Sequence, residues 1–490
     1  MTPIPYSVLL DRLHKEKLVT DGYPSTGPDI RHVTCDSRLV TAGTCFVAVR
    51  GMRADGQDYV GDAVARGAVM VVSESAQAAR GAVHLRVTSV REALALCAAA
   101  VCRDPARQLA CCGITGTNGK TTTAWLLHHA LMALGNRSGL LGTIAYTYGA
   151  TSVAAPLTTP DAPDLQRMLR EMVNAGCTTC VMEVSSHALD QRRVHGIPFS
   201  TGIFTNLGHD HLDYHKTRVA YARAKKHLFD TLSPDAVAIY NADDPAGAGM
   251  VQDTGAVTIS YGQSPGVDMS FSQVCDSSGG LELHLDGSLL KTRLSGAFNA
   301  YNVAAAYAAA CARGHAAQRV RTALGGAPPA PGRFELIRFA DNTLAIVDFA
   351  HTPDALRKAL NTARDHARTK ALWCVFGCGG DRDKAKRPLM GAIAERLADH
   401  VVVTSDNSRS ESYHAISRDI REGMQDPSEA AWIEDRREAV DYAAQHATPG
   451  DVVLIAGKGH ETTQLTGTEK RPLNDRALVL DTFAHRVHID

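Results

Sequence analysis

Aromatic residues make up only 6% of the 490-residue chain, with three tryptophans among them. That leaves few platforms on which nucleobases could stack. Neither charge is in excess: 51 Lys+Arg stand against 52 Asp+Glu, a formal net charge of −1. Without a basic surplus the chain has no general means of neutralising a phosphate backbone, so no nucleic-acid partner is expected. No apolar run approaches the ~20 residues that span a bilayer, so no membrane insertion is expected. The stretch MTPIPYSVLLDRLHKEKLV lacks a basic segment before its short apolar part and a cleavage-like site after it. It does not read as a signal peptide, and a cytoplasmic setting is the expectation. The 12 cysteines are too sparse for a disulfide scaffold. Cys177 and Cys180 have CxxC spacing but no second ligand pair at a zinc-like distance, and read as buried thiols entering the run CVMEV.

What is present is a hydrophobic content of 44%, ordinary for a folded protein. At about 100–200 residues per domain, the length suggests three domains. The first hundred residues carry short apolar runs, CFVAV (45–49) and AVMVVS (68–73), separated by turn signals such as GMRADGQ (51–57). Asp104-Pro105 reads as a linker. LACCGITG (109–116) begins a new pattern, and TTTAWLLHHALMALG (121–135) reads as a helix stopping at Gly135. Strand-like runs recur at CVMEV (180–184), GIFTNL (202–207) and AVAIYNA (236–242). GGAPPAPGRFE (325–335) is the clearest linker, because its prolines can neither continue a helix nor join a sheet interior. Beyond it come LAIVDFA (344–350), ALWCVFG (371–377), HVVVTSD (400–406) and DVVLIAG (451–457), each continuous and apolar, as in strands buried on both faces. The reading is α/β with three domains: 1–105, 106–330 and 331–490. Ligands in such sheets bind beyond the carboxyl ends of the strands.

Gly116-Thr117-Asn118-Gly119-Lys120-Thr121-Thr122 lies between a predicted strand and a predicted helix, the setting of a phosphate-binding loop. Glycines let backbone N–H groups face an anion, and the helix N-terminus adds positive potential. Lys120 would meet the β- and γ-phosphates, and the Thr121 hydroxyl would bind Mg²⁺. Ile114 stands where the strict pattern has glycine, so the loop is a variant. Farther on, His209-Asp210-His211-Leu212-Asp213-Tyr214-His215 nearly fits the HxHxDH pattern of binuclear hydrolases, but Tyr214 displaces the final histidine by one place. Structural histidines are a second reading. The favoured one is that some of these side chains hold Mg²⁺ beside a nucleotide, with Glu183 at a strand end as a further ligand. Tyr221–His227 read locally is a basic, solvated helix face, and nothing in its spacing singles out Lys225.

GITGTNGKTTT (113–123), EVSSHAL (183–189), DHLDYH (210–215), GAFNAYN (296–302), PGRFE (331–335), VDFAHTPDAL (347–356), FGCGGDRDKAKRPLMG (376–391), TSDNSR (404–409) and AGKGHE (456–461) occur in the order found in Mur ligases. The resemblance extends from Asp36-Ser37-Arg38 to Glu461. It implies an N-terminal α/β domain for a uridine nucleotide, a central P-loop-type ATPase domain with a parallel or mixed sheet, and a C-terminal Rossmann-like domain for an incoming amino acid. The implied activity is an ATP-dependent amide ligation of peptidoglycan precursor synthesis. It adds the third residue, meso-2,6-diaminopimelate, to UDP-MurNAc-L-Ala-D-Glu through an acyl phosphate.

The resemblance assigns Lys120, Glu183, His211 and Lys225 to catalysis. Thr121, Glu183, His211 and Lys225 are the implied ligands of two Mg²⁺ ions, with Lys225 carbamylated so that it becomes an anion. ATP falls to residues 116–122 with Asn299, Asn302, Arg333, Asp348 and His351. The nucleotide–sugar–dipeptide falls to Ser37, Met52, Arg53, Ala54, Thr158, Thr159, Ser185, Gln191 and Arg193. Diaminopimelate falls to Arg387, Asp406, Asn407, Ser408, Arg409, Gly457 and Glu461. Arg409 can pair bidentately with the carboxylate that distinguishes diaminopimelate from lysine. The partners are these small molecules, and a monomer is expected. Ser408 stands where the family usually has proline, Leu157 where Asn is common, Met52-Arg53 where His-Gln is common, and Gly208-His209 where Ser-Arg is common. The alternatives are the same ligation with L-lysine or another diamine, folylpolyglutamate synthase, and a P-loop kinase or motor-like ATPase.

Overall fold

The computed structural model describes residues 2–489 except 21–22, 52–53, 77–78, 278–279, 485 and 487. Three large sheets organise the chain, each fed by a separate stretch of sequence. The first has four parallel strands, 32–34, 44–47, 68–73 and 83–86, in sequential order. Helices Tyr6–Lys15 and Val90–Val101 cover it, the second capped by the Ser89 hydroxyl.

The second sheet has eleven strands. At its centre, strand Ala110–Thr115 lies between Thr179–Glu183 and Phe199–Phe204, parallel to both. All five residues of Thr179–Glu183 are buried, which explains why its sequence is a continuous run rather than an alternation. Helix Lys120–Ala133 packs with Asn299–Ala312 on one face around Leu127, Leu131 and Val303. Helices Ala162–Asn174 and Arg218–Asp230 pack on the other, around Leu165, Leu169, Leu228 and Phe229. Two antiparallel extensions widen the sheet: 145–154 on one edge, and strands 280–285 and 288–291 beyond 269–277 on the other. The sheet is therefore mixed.

The third sheet has seven strands, of which 431–432, 400–403, 372–376, 452–456 and 344–348 run parallel. Strands 335–339 and 488–489 close it antiparallel. Helix Pro353–Ala367 starts with Pro at its first position and a Thr352 cap, a favourable entry for a chain leaving strand 344–348. A separate hairpin, 463–466 with 469–472, lies beside this sheet.

The helix expected over 121–135 is observed as Lys120–Ala133, with Gly135 at φ +90 behind it. The run GIFTNL becomes a strand over Phe199–Phe204, three residues earlier than expected, because Asn206 already serves the phosphate loop. The basic stretch 221–227 is helical, but it is not a solvated face: Lys225 is 1% exposed. All twelve cysteines are free, and Cys177 and Cys180 are buried. No helix among the described residues is long and apolar enough to cross a membrane.

Candidate active site

The carboxyl end of strand Ala110–Thr115 opens into the loop 116–119, which turns into helix Lys120–Ala133. Two glycines make the turn possible. A Cβ on Gly116 would lie 1.8 Å from Thr205 Oγ1, and one on Gly119, at φ +85, would lie 2.3 Å from Asn302 Oδ1. The loop is braced from the neighbouring strand end. Asn118 N donates to Asn206 Oδ1 at 2.9 Å, while Asn206 Nδ2 and Thr205 Oγ1 donate to the Asn118 carbonyl at 3.0 and 2.6 Å. Lys120 Nζ folds back onto the Gly116 and Thr117 carbonyls at 2.9 and 2.8 Å. Burial lowers its pKa, partly countered by Glu183 and Asp210.

Glu183 ends the next strand. Its Oε2 accepts from Thr121 Oγ1 at 2.9 Å and Thr143 Oγ1 at 3.0 Å, and its Oε1 accepts from Thr143 N at 2.7 Å. Thr159 Oγ1 donates to the Glu183 carbonyl and accepts from Ser185 N, fixing the strand end from behind. Arg333, from the segment joining the second and third sheets, donates to Thr121 Oγ1 at 3.1 Å and stacks 4.3 Å over the Phe349 ring. Asp348, at the end of the first parallel strand of the third sheet, accepts from Phe334 N at 2.7 Å. Burial pushes its carboxyl up to about 6.

Lys225 reaches in from helix Arg218–Asp230, donating to the Gly116 carbonyl at 2.7 Å and lying over the Tyr221 ring at 4.5 Å. Burial, with Lys120 nearby, drives its pKa well below the usual lysine value. His211 sits at φ +55 with its ring 4.7 Å from that of His187. Burial pushes its pKa down to about 3, so its imidazole is neutral. Its Nε2 is 3.4 Å from Asp210 Oδ2. The other two histidines of the cluster go elsewhere: His209 faces Asp383 at 3.5 Å, and His215 bonds Ser186 Oγ at 3.0 Å. No group of three or more His, Cys, Asp and Glu side chains placed to hold a metal ion occurs among the described residues.

These elements enclose a cavity of about 400 Å³. Residues 117–122, Thr158, Glu183, Ser185, His211, Lys225, Asn299, Asn302, Arg333, Asp348 and His351 line one part. Asp406, Asn407, Arg409, Gly457 and Glu461 line the opposite part, from the third sheet. Thr159, Gln191 and Arg193 stand just behind the first part, where Arg193 donates to the Thr159 carbonyl at 2.9 Å and to Gln191 Oε1 at 2.7 Å. Ser37, at the start of the turn Ser37–Leu39, and Ala54, which is exposed, do not line this cavity. Met52 and Arg53 lie outside the described residues.

Two expected amino-acid contacts are placed differently. Ser408 is buried beneath the loop, where a Cβ on Gly380 would meet its carbonyl at 1.8 Å. Arg387 is 0% exposed and held by Glu411 at 2.8 and 3.0 Å, by Asp419 at 2.8 Å and by the Gly379 carbonyl at 3.1 Å. Its charge is met by these internal carboxylates, and it does not line the cavity. Arg382, five residues earlier in the same motif, lines the cavity instead, and its charge acts on Arg409. Sequence reasoning passed over Arg382 because two arginines in one charged motif cannot be ranked without knowing which faces inward. It also passed over Lys386, which donates to the His351 carbonyl at 2.7 Å.

The comparisons with known proteins follow this division of the chain. The Mur ligase family catalytic domain matches residues 29–101, the Mur ligase middle domain 114–310, and the Mur ligase glutamate ligase domain 332–459. A UDP-N-acetylmuramoyl-L-alanyl-D-glutamate--2,6-diaminopimelate ligase of Cytophaga hutchinsonii is 41% identical over 96% of this chain and 99% of its own. This chain belongs to the Mur ligase family. A ligase of the same name from Geobacter metallireducens is 42% identical over 93% of this chain and 94% of its own. A solved structure of a ligase of that name superposes with a TM-score of 0.68 at 32% identity, covering 99% of both chains. A folylpolyglutamate synthase of Mycobacterium tuberculosis complexed with ADP shares the fold at 20% identity over 74% of this chain, with a TM-score of 0.59. As a Mur ligase, the chain has an α/β fold built on parallel and mixed sheets.

Proposed function

We propose that this Mur ligase joins meso-2,6-diaminopimelate to UDP-MurNAc-L-Ala-D-Glu at the expense of ATP, in the cytoplasmic supply of peptidoglycan precursor. The observation that carries it is that a phosphate-loop segment and the loops bearing Arg409 and Glu461 line one cavity. A carboxylate is a poor electrophile, so its oxygen must first become a leaving group. The D-Glu carboxylate takes the γ-phosphoryl group and ADP leaves. The amine of diaminopimelate then attacks the acyl carbon, and phosphate departs.

The first step brings two anions together, so positive charge must be placed between them. Lys120 and Arg333 are the protein's own cations at that place. The hydroxyl of Thr121 and the carboxylate of Glu183, 2.9 Å apart, are hard oxygen donors of the kind Mg²⁺ takes. The neutral His211 and Lys225 are the pair for a second ion. Mg²⁺ bound there would supply further charge neutralisation around the phosphates. Lys225 fits carbamylation in two respects. Burial favours its neutral amine, the form that adds CO₂, and its ammonium would oppose a metal ion whereas a carbamate oxygen would ligate one.

At the other end of the cavity, Arg409 with Arg382 would hold the distal carboxylate, and Glu461 the distal ammonium. L-Lysine lacks that carboxylate and would leave two guanidinium groups without an anion. Asn299, Asn302, Asp348 and His351 border the phosphate loop on the side where adenosine would lie. Thr158, Thr159, Ser185, Gln191 and Arg193 border the Glu183 side, where the dipeptide would lie.

The test is phosphate release from ATP with the UDP-linked dipeptide and a panel of amino acids. Turnover should depend on meso-diaminopimelate and be weak with L-lysine. Equal turnover of the two would overturn the substrate assignment.

A further inference from the structure

The AGKGHE motif contributes Gly457 and Glu461 to the cavity, but its lysine does not line it. Lys458 is 0% exposed. Its ammonium has three protons and three acceptors: Glu461 Oε2 at 2.7 Å, the Thr463 carbonyl at 2.8 Å and Asn407 Oδ1 at 3.1 Å. An ammonium can only donate, so Asn407 must present its oxygen to Lys458. That fixes the amide orientation and sends Asn407 Nδ2 to Glu461 Oε2, at 2.8 Å. Leu465 N, on the exposed hairpin, donates to the same Asn407 oxygen at 2.9 Å.

Glu461 Oε2 is thus held by two donors, one from its own loop and one from the Asn407 loop. The carboxylate of this cavity-lining residue is thereby oriented from its Oε2 side. The hairpin is tied to the same unit, since Arg409 N donates to the Leu465 carbonyl at 3.1 Å and Gly467 N to the Arg409 carbonyl at 2.6 Å. One buried ammonium therefore registers three separate segments: 406–409, 457–461 and 463–467.

We propose that Lys458 is a positioning residue for amino-acid selection. It sets the orientation of Glu461 and Asn407, and through the hairpin the placement of Arg409, without touching the substrate. The inference rests on the diaminopimelate reading of this end of the cavity. Groups that hold a binding residue in register matter because small misplacements are costly, a displacement of about 1 Å being worth up to about 100-fold.

The experiment is steady-state kinetics of Lys458→Met, similar in length but without donors, and of Lys458→Gln, which keeps a donor toward Glu461. For Lys458→Met the KM for meso-diaminopimelate should rise about 10-fold or more, with the KM for ATP and for the UDP-dipeptide essentially unchanged. Lys458→Gln should recover part of the loss, and if the methionine variant does not fold, the glutamine variant carries the test on the same KM. Adding Glu461→Gln to Lys458→Met should give less than the product of the single effects, because both act on one carboxylate. An unchanged KM for diaminopimelate would overturn the inference. So would a uniform fall in all kinetic parameters together with the thermal midpoint, the signature of a mere strut, or fully multiplicative effects in the double variant. Loss of the underlying substrate reading looks different: the unsubstituted protein would then release no phosphate in response to diaminopimelate.

Discussion

On the proposed reading amino-acid choice depends on the charge of Arg409, and Arg409→Ala isolates it. The Arg409 Nη1 donates to the Gly380 carbonyl at 2.7 Å and to the Asn407 carbonyl at 3.3 Å. That clamps one end of the guanidinium and leaves the Nε–Nη2 edge with the geometry for a carboxylate. Burial lowers its pKa, and the neighbouring Arg382 adds a like charge, so an incoming anion relieves a cost the free protein carries. Two charge-assisted hydrogen bonds at roughly 1.5–3 kcal/mol each set the scale. Taking the lower figure for both, alanine costs about 3 kcal/mol, or about 100-fold in KM at 1.4 kcal/mol per factor of ten. The KM for L-lysine should barely move, since lysine has no distal carboxylate to lose. The assay is phosphate release at saturating ATP and UDP-dipeptide, titrating each amino acid in turn. An unchanged KM for diaminopimelate would refute the reasoning, as would an equal rise for both amino acids.

Lys225→Ala should nearly abolish turnover, with partial rescue by a small carboxylic acid that restores an anion at the same place; full activity without rescue would dismiss the carbamate. Asp348→Asn should change stability in a pH-dependent way. The Asp348 carboxyl is raised from 3.8 to about 6 by burial, so its protonated form is favoured in the folded state and stability is lost as pH rises through about 6. The asparagine variant should therefore gain stability over the parent above pH about 6 and not below pH about 4, as read from thermal midpoints across that range; a pH-independent difference would contradict the assignment. Arg436→Met breaks a wholly buried pair in which Nε and Nη2 meet Asp475 at 2.7 and 2.8 Å. Stranding that carboxylate should cost about 3–5 kcal/mol in chemical denaturation of the third-sheet unit, and a loss under about 1 kcal/mol would argue against it.

The strand runs of this chain were legible because parallel strands buried on both faces write themselves as uninterrupted apolar segments. Ala68–Ser73 is observed over its expected bounds, and Leu344–Asp348, Leu372–Phe376 and Val452–Ala456 fall inside theirs. The antiparallel strands 269–291 escaped because several of their residues face solvent and their sequence is broken by polar residues. The phosphate loop was legible for a local reason, since its glycines, lysine and threonine act within seven residues. Lys225 was not, because its meaning comes from the Gly116 carbonyl more than a hundred residues away. The same holds for Arg387 and Arg382. Glu411 and Asp419 decide which of the two is consumed internally, and neither neighbours them in sequence.

The near-zero net charge then has a local counterpart. Seven lysines and arginines and seven aspartates and glutamates line the cavity. A site meant to hold a triphosphate, a carboxylate and a zwitterionic amino acid by protein cations alone would be strongly basic. Here the cations are distributed: Lys120 and Arg333 at the phosphate loop, Arg382 and Arg409 at the far end. Glu183 and Asp210 both act on Lys120, and Asp210 also acts on Lys225. Acidic groups there suit cations brought from outside, as the proposed Mg²⁺ ions would be. Converting Lys225 to a carbamate would move the lining further toward negative charge and deepen that demand. On the proposed reading, metal ions brought with ATP would add to the charge of Lys120 and Arg333 in the first chemical step, and neutrality of the whole sequence is compatible with a strongly anionic set of substrates.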